Sequence, residues 1–105
     1  MMKNKYLDHV QLFAVRDHVD KILGFMGTSE DKVEMLFVHP NEMRKGIGKL
    51  LLDYAVGELM IKKVDVNEQN KNALEFYKKH GFVVYERTNK DNDGKNYPIL
   101  KMRLE

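Results

Sequence analysis

The sequence predicts a single α/β domain over residues 1–105, with a mixed sheet in the order β-β-β-α-β-α-β-β. Three observations support this fold class. Three short apolar segments with brief turns between them open the chain, a pattern typical of an antiparallel meander. Two later segments repeat apolar residues at helical spacing. One apolar segment separates these helices and two more follow the second, so strands and helices alternate in this part of the chain.

The predicted elements follow from local patterns. The strands are expected at residues 10–15, 21–27, 32–39, 61–67, 82–87 and 97–104. The first helix begins near residues 44–46, after Pro40, and the second covers residues 70–81. In the first helix, a buried face is predicted from spacing i, i+3, i+4, i+7 at Ile47, Leu50, Leu51 and Tyr54. The strand–helix–strand unit around the first helix is expected to be parallel and right-handed.

The composition excludes several classes of function. The net charge is +2, with 18 basic and 16 acidic residues, which does not predict binding to nucleic acid or to a membrane. The absence of cysteine excludes disulfides, thiolate metal sites and cysteine nucleophiles. The four histidines have no ligand-like spacing, so no metal is expected. No apolar segment is long enough to span a bilayer and the start lacks a signal-peptide core, so a cytoplasmic location is expected.

A glycine-rich turn at the start of the first helix is the first candidate site. Gly46 and Gly48 flank Ile47 directly after Arg44 and Lys45. Free backbone N–H groups and the positive end of the helix dipole meet there, which favours a phosphate. A P-loop is excluded because positions 43 and 50 are Met and Leu, and a dinucleotide fingerprint lacks its third glycine at position 51. The alternative is a turn that serves packing alone.

Two motifs resemble the GNAT superfamily of acetyl-CoA-dependent N-acetyltransferases. That family carries Gln/Arg-x-x-Gly-x-Gly/Ala after a strand, often introduced by Val-x-Pro, and this chain has VHP at 38–40 and MRKGIG at 43–48. The family's next helix is of the type Asn-x-x-Ala-x-x-x-Tyr-x-x-x-Gly-Phe, and this chain reads NKNALEFYKKHGF at 70–82. The resemblance extends from Val10 to the C-terminus and implies a small bacterial N-acetyltransferase with a GNAT-like fold.

The resemblance implies acetyl-CoA as acetyl donor and an unidentified primary amine as acceptor. It implies cofactor contacts from Phe37, Val38, Met43, Arg44, Lys45, Gly46, Ile47, Gly48, Lys49, Asn70 and Tyr77. Backbone groups of Phe37 and Val38 are expected to pair with the pantetheine arm. Asn70 is also expected to bind this arm, although Asn at this place is equally typical of a helix N-cap.

Catalytic roles are also implied by the resemblance. Tyr77 matches the general acid that protonates the departing thiolate, the alternative being a core tyrosine. Glu34 is the candidate general base, on the expectation that it shares a sheet face with Leu36, and an exposed strand glutamate is the alternative. His39 is a second candidate base, and a surface histidine is its alternative.

The chain departs from the family at three places. Met43 stands where the family has Gln or Arg, and Arg44 stands where glycine is common. Only about ten residues precede the first predicted strand, so the family's N-terminal β-α-α segment is expected to be missing. A non-catalytic acyl-CoA-binding or regulatory module is therefore the alternative function, and a homodimer formed through an exposed sheet edge is a further expectation.

Overall fold

The computed structural model describes residues 2–7 as backbone and residues 10–90 and 94–105 in full. The chain divides into two compact units, Met1–Ile61 and Lys62–Glu105. Each unit contains β-strands and one α-helix, and each is described by itself below. The prediction of a single domain stays a prediction.

The first unit is an antiparallel meander. Its strands are β1 (Met2–Leu7), β2 (Val10–Arg16), β3 (Ile22–Ser29) and β4 (Lys32–Val38), and each pairs with the next. The three strands from residue 10 onward were expected from the apolar segments, and their bounds agree within two residues. The meander is confirmed.

The strand β1 is an addition to the predicted order. The segment MKNKYL lacks the alternation of apolar residues that predicts a strand, and none is expected there from sequence. It becomes a strand because it pairs with β2 along its whole length, from Met2 opposite Val15 to Leu7 opposite Val10. The segment before Val10 therefore contains a strand that the predicted order did not include.

The helix α1 (Ile47–Gly57) packs against β2, β3 and β4. It lies close to β3 at Gly24, where a Cβ atom would come within 2.8 Å of the Ile47 side chain and of the Phe37 carbonyl. Only glycine permits this approach, which holds the beginning of α1 near the end of β4.

The buried face of α1 differs from the predicted one. Leu51, Leu52 and Ala55 are buried, whereas Leu50 is 46% exposed. At 3.6 residues per turn Leu50 lies on the far side of the helix from the centre of these three residues. The prediction for Leu50 is wrong because an i, i+3 pattern fits two adjacent faces, and only packing against the sheet selects one of them.

The second unit contains β5 (Lys63–Asn67), α2 (Lys71–Lys79), β6 (Phe82–Thr88) and β7 (Ile99–Leu104). Its strands are antiparallel in the order β5-β7-β6. One face of this sheet is apolar, because the register aligns Val64 with Met102 and Val66 with Leu100, and all four are buried. The other face is charged and carries Lys63, Asp65, Lys101 and Arg103. The helix α2 packs against β6.

In the described part of the chain, no helix has the length and apolar composition needed to cross a bilayer. Over the same residues, no three His, Asp or Glu side chains cluster as metal ligands.

Candidate functional site

The path from β4 to α1 is an ordered turn. After β4 the His39 N–H donates to the Leu23 carbonyl at 2.9 Å, and Pro40–Glu42 form one 3-10 turn. The His39 ring caps this turn, because its Nδ1 accepts the N–H of Asn41 at 3.2 Å. Met43, exposed and extended, then leads into the glycine turn of residues 44–48.

Gly46 begins α1 in a conformation that other residues avoid. Its φ is +83°, the left-handed region that favours glycine, and a Cβ atom there would meet nothing within 4 Å. The first helical bond is donated by Leu50 to the Gly46 carbonyl at 2.9 Å. The N–H groups of Ile47, Gly48 and Lys49 have no acceptor among the described residues, and no side chain caps the helix. Free N–H donors at a helix start can bind an anion.

The three cations around the turn are not equivalent. Lys49 Nζ lies 2.7 Å from Asp53 Oδ2, and Lys45 Nζ lies 3.5 Å from Glu42 Oε1. Arg44 has no ion-pair partner within residues 10–90 and 94–105. It is exposed, so its guanidinium is free to meet a bound anion.

Arg44 also has an unfavourable backbone. Its φ is +66°, where the Cβ of an ordinary residue crowds the backbone. This explains why glycine suits the position in the resembling family. The chain thus carries a strained arginine at the turn, and the side chain of that residue supplies the unpaired cation.

The structure distinguishes Phe37 from Val38 by the direction of their backbone groups. In an antiparallel ladder, residues alternate between pairs that exchange hydrogen bonds and pairs that do not. The hydrogen bond from His39 to Leu23 shows that these two residues form a hydrogen-bonded pair. Two residues earlier on β4, Phe37 and its partner Phe25 are therefore also a hydrogen-bonded pair. Val38, opposite Gly24, therefore directs its N–H and C=O away from β3. The backbone groups of Phe37, by contrast, are directed at β3.

Glu34 lies at an irregularity of β4. Val33 pairs with Thr28 and Met35 pairs with Gly27, so Glu34 is an extra residue without a partner position on β3. This β-bulge interrupts the regular alternation of side chains along β4 at Glu34. The glutamate is half-buried.

His39 is a poor candidate for the general base. Its Nδ1 accepts the N–H of Asn41, so in the neutral ring the proton lies on Nε2. The ring nitrogen that could accept a proton, Nδ1, is therefore already occupied by the hydrogen bond from the Asn41 N–H.

Asn70 is the N-cap of α2. Its Oδ1 accepts a hydrogen bond from the Ala73 N–H at 3.1 Å. Asn70 therefore has the N-cap role that the sequence offered as an alternative to cofactor binding. The two hydrogens on Nδ2 have no acceptor in the described part of the chain. One side chain can therefore cap the helix and still donate to a ligand.

Tyr77 lies two turns further along α2 and is 3% exposed. Its ring contacts Phe76 and Phe82, at centroid distances of 5.4 and 5.8 Å. Burial raises the pKa of the Tyr77 phenol well above its ordinary value, because the charged form is desolvated. The hydroxyl has no hydrogen-bond partner among residues that the structure describes, so Tyr77 is a protonated and uncommitted donor.

Sequence reasoning missed one polar contact near these residues. Arg87 on β6 donates two hydrogen bonds to Glu68, which stands two residues before Asn70. The two residues are 19 positions apart, and no short motif links them. Their opposite charges at the two ends of the α2 segment are the only signal in the sequence.

These features define a class of protein, one with free N–H groups at a helix start after a strand and a protonated tyrosine on a later helix. The family model described as an acetyltransferase (GNAT) domain matches residues 1–105. The chain therefore belongs to the GNAT acetyltransferase family, and the resemblance seen in the two motifs is confirmed.

The peptidyl-lysine N-acetyltransferase YjaB of Salmonella typhimurium is 36% identical over 97 residues, which are 92% of this chain and 67% of that protein. The solution structure of apo YjaB from Escherichia coli matches with a TM-score of 0.80 at 35% identity, covering 88% of this chain and 63% of that one. A Bacillus anthracis protein solved in complex with acetyl coenzyme A matches with a TM-score of 0.74 at 20% identity, covering 94% and 64%. These matches confirm the predicted fold class. The chain spans about two thirds of the length of these relatives.

Proposed function

We propose that this protein transfers the acetyl group of acetyl-CoA to a primary amine, and that the amine is a lysine side chain of a peptide or protein. The observation that carries the proposal is the start of α1. There, the N–H groups of Ile47, Gly48 and Lys49 have no acceptor among the described residues, and the exposed Arg44 precedes them in a GNAT motif.

The residues of the glycine turn fit the diphosphate of coenzyme A. Backbone N–H groups provide the donors, so the Met43 departure from the family pattern removes none of them. Gly46 leaves the approach open because nothing stands where its Cβ would be. Arg44 adds a positive charge, whereas Lys45 and Lys49 are already paired with carboxylates.

Val38 and Asn70 fit the pantetheine arm, which offers amide groups. Val38 presents an N–H and a C=O on the edge of β4 away from β3. Asn70 presents the free hydrogens of its side-chain amide. Phe37 remains a predicted contact, through its half-exposed ring rather than its backbone.

The transfer requires two proton movements. A neutral amine attacks the thioester carbonyl carbon, a C–N bond forms, and the C–S bond breaks as the thiolate leaves. Tyr77 gives its hydroxyl proton to this sulfur, since burial keeps the phenol protonated. The amine loses one proton to a base, and Glu34 on β4 is our candidate, directly or through a water.

The assignment of lysine as acceptor is supported by the relatives. The YjaB proteins of Salmonella typhimurium and Escherichia coli are named peptidyl-lysine N-acetyltransferases and are 36% and 35% identical to this chain. A module that binds acetyl-CoA without catalysis is less favoured, because such a module has no use for a buried, unpartnered tyrosine at the family position. The cytoplasmic location and the homodimer stay predictions.

Calorimetric titration of the purified protein with acetyl-CoA tests the first half of the proposal. ATP and NAD serve as controls, and selective binding of acetyl-CoA is expected. Binding of all three with equal affinity, or of none, would show that the turn does not recognise coenzyme A.

Mass spectrometry of a lysine-containing peptide incubated with the protein and acetyl-CoA tests the second half. The matched control is the same peptide with arginine in place of lysine. Acetylation of the lysine peptide alone is expected. Binding of acetyl-CoA without acetylation of any amine in a broad panel would favour the non-catalytic module.

A further inference from the structure

The turn between β5 and α2, residues 68–70, is held by backbone groups at every position. The Glu68 N–H donates to the Pro98 carbonyl at 2.9 Å, at the start of β7. The Gln69 N–H donates to Asn67 Oδ1 at 2.8 Å, and the Asn70 N–H donates to the Asn67 carbonyl at 2.9 Å. The backbone that carries Asn70 is therefore organised by contacts just before it and by β7.

The side chain of Glu68 adds a longer connection. Arg87 Nε donates to Glu68 Oε2 at 2.7 Å, and Arg87 Nη2 donates to Glu68 Oε1 at 3.0 Å. The third nitrogen, Nη1, donates to Asn89 Oδ1 at 2.8 Å. Arg87 lies on β6 opposite Leu100 of β7. The Glu68–Arg87 pair thus joins the turn before α2 to the strand after it.

The pair contributes little to stability. Both side chains are partly exposed, Arg87 at 46% and Glu68 at 39%, and exposed ion pairs stabilise folded proteins only weakly. Its effect is geometric instead. Two parallel bonds between planar groups fix both position and orientation, which a single contact does not.

We propose that the Glu68–Arg87 pair positions the side-chain amide of Asn70 for binding acetyl-CoA. Glu68 lies two residues before Asn70. The turn that contains both is restrained, because the Asn70 N–H donates to the Asn67 carbonyl and the Asn70 Oδ1 accepts from the Ala73 N–H. When Arg87 fixes the Glu68 carboxylate, the turn moves less, and the direction in which the free Asn70 Nδ2 hydrogens point is therefore restricted as well. This inference rests on the proposed function, since it assumes that Asn70 binds the cofactor.

The electrostatics agree with a permanent connection rather than a switch. The hydrogen bonds from Arg87 lower the pKa of the Glu68 carboxyl below its ordinary value of 4.5, and the same contact raises the pKa of Arg87. Both groups stay charged at neutral pH. The pair opens only as the pH falls through the lowered pKa of Glu68, so substitution is the practical way to break it.

The test compares acetyl-CoA affinity and turnover of the full chain in matched variants. Arg87→Gln removes both the positive charge and the two parallel hydrogen bonds to Glu68. Arg87→Lys keeps the charge but cannot form both bonds at once. Glu86→Gln is the control, because it breaks another exposed pair between β6 and β7, Lys101 Nζ to Glu86 Oε2 at 3.8 Å, that does not include a residue of the turn. We expect Arg87→Gln to raise Kd and KM for acetyl-CoA about three- to tenfold, typical of coupled neighbouring groups, with kcat changed less than about twofold.

A double-mutant cycle assigns the effect to Asn70. Asn70→Ser keeps an N-cap but loses the reach of the amide. In the Asn70→Ser background, Arg87→Gln should raise Kd no further. Arg87→Lys should fall between wild type and Arg87→Gln, because one of two parallel bonds can re-form.

Three outcomes would overturn the inference. The first is an Arg87→Gln variant that binds acetyl-CoA like Glu86→Gln. The second is full additivity of Arg87→Gln and Asn70→Ser. The third is loss of affinity in strict parallel with loss of thermal stability, which would indicate a structural role alone. Wild-type protein that fails to bind acetyl-CoA would instead overturn the proposed function, and the inference with it.

Discussion

Replacing Arg44 with glycine should make the protein more stable and its binding of acetyl-CoA weaker. The φ of +66° costs an ordinary residue roughly 1–2 kcal/mol, and glycine escapes that cost. Glycine in turn loses more backbone entropy on folding, by roughly 0.5–1 kcal/mol. The difference predicts that the free energy of unfolding rises by about 0.5–1 kcal/mol, which corresponds to a Tm increase of roughly 2–6 °C.

The same change removes the one unpaired cation that we identify at the glycine turn. An exposed charge beside a phosphate contributes about 0.2–1 kcal/mol, so Kd for acetyl-CoA should rise by up to about fivefold. Urea unfolding measures the first effect and calorimetry the second, and the second should shrink as salt is added.

Arg44→Ala is the matched control. It removes the same charge but keeps a Cβ in the left-handed region, so it should weaken binding equally without increasing stability. Equal stability of the glycine and alanine variants would refute the strain argument. Unchanged affinity in both would refute the role of the guanidinium.

The other predictions concern single side chains. Tyr77→Phe should lower kcat by at least about tenfold with Kd for acetyl-CoA unchanged, as expected for loss of a general acid, and equal losses of binding and rate would point to packing instead. In wild type, Tyr77 should remain protonated above pH 10 because burial raises its pKa, and the free energy of unfolding should fall as the pH rises above about 10, where the tyrosine of the unfolded chain ionises. Leu51→Ala should lower the free energy of unfolding by about 2–5 kcal/mol, whereas Leu50→Ala should change it by less than about 0.5 kcal/mol; a reversed order would contradict the buried face of α1. Glu34→Gln should lower kcat most at low pH, where removal of the amine proton limits the rate, and a rate equal to wild type at every pH would exclude it as the base.

Much of the fold follows from local patterns. The strands from Val10 onward and both helices were predicted at nearly the correct bounds, because apolar periodicity and the residues at turns act over short distances. The strand β1 was missed, since its residues form a strand through pairing with β2 and show little preference of their own. Leu50 was misplaced for a related reason, because the orientation of a helix about its axis is set by the sheet it packs on.

The candidate site divides in the same way. The motifs at residues 43–48 and 70–82 identified the family, and Gly46, Asn70 and Tyr77 have the local environments that those motifs imply. What the motifs did not reveal depends on contacts between distant residues or on backbone register. Examples are the bulge at Glu34 and the outward direction of Val38.

The amino-acid sequence by itself determined the order of elements from Val10 onward, the glycine turn at the start of α1 and the family to which the chain belongs. Each depends on residues close together in the chain, where spacing alone carries the information. Only the tertiary structure decided that Arg44 is strained, that Arg44 and the buried Tyr77 hydroxyl have no partner among the described residues, and that Arg87 donates to Glu68. These properties arise from burial, from ion pairing and from backbone dihedral angles, which take their values only when the chain has folded.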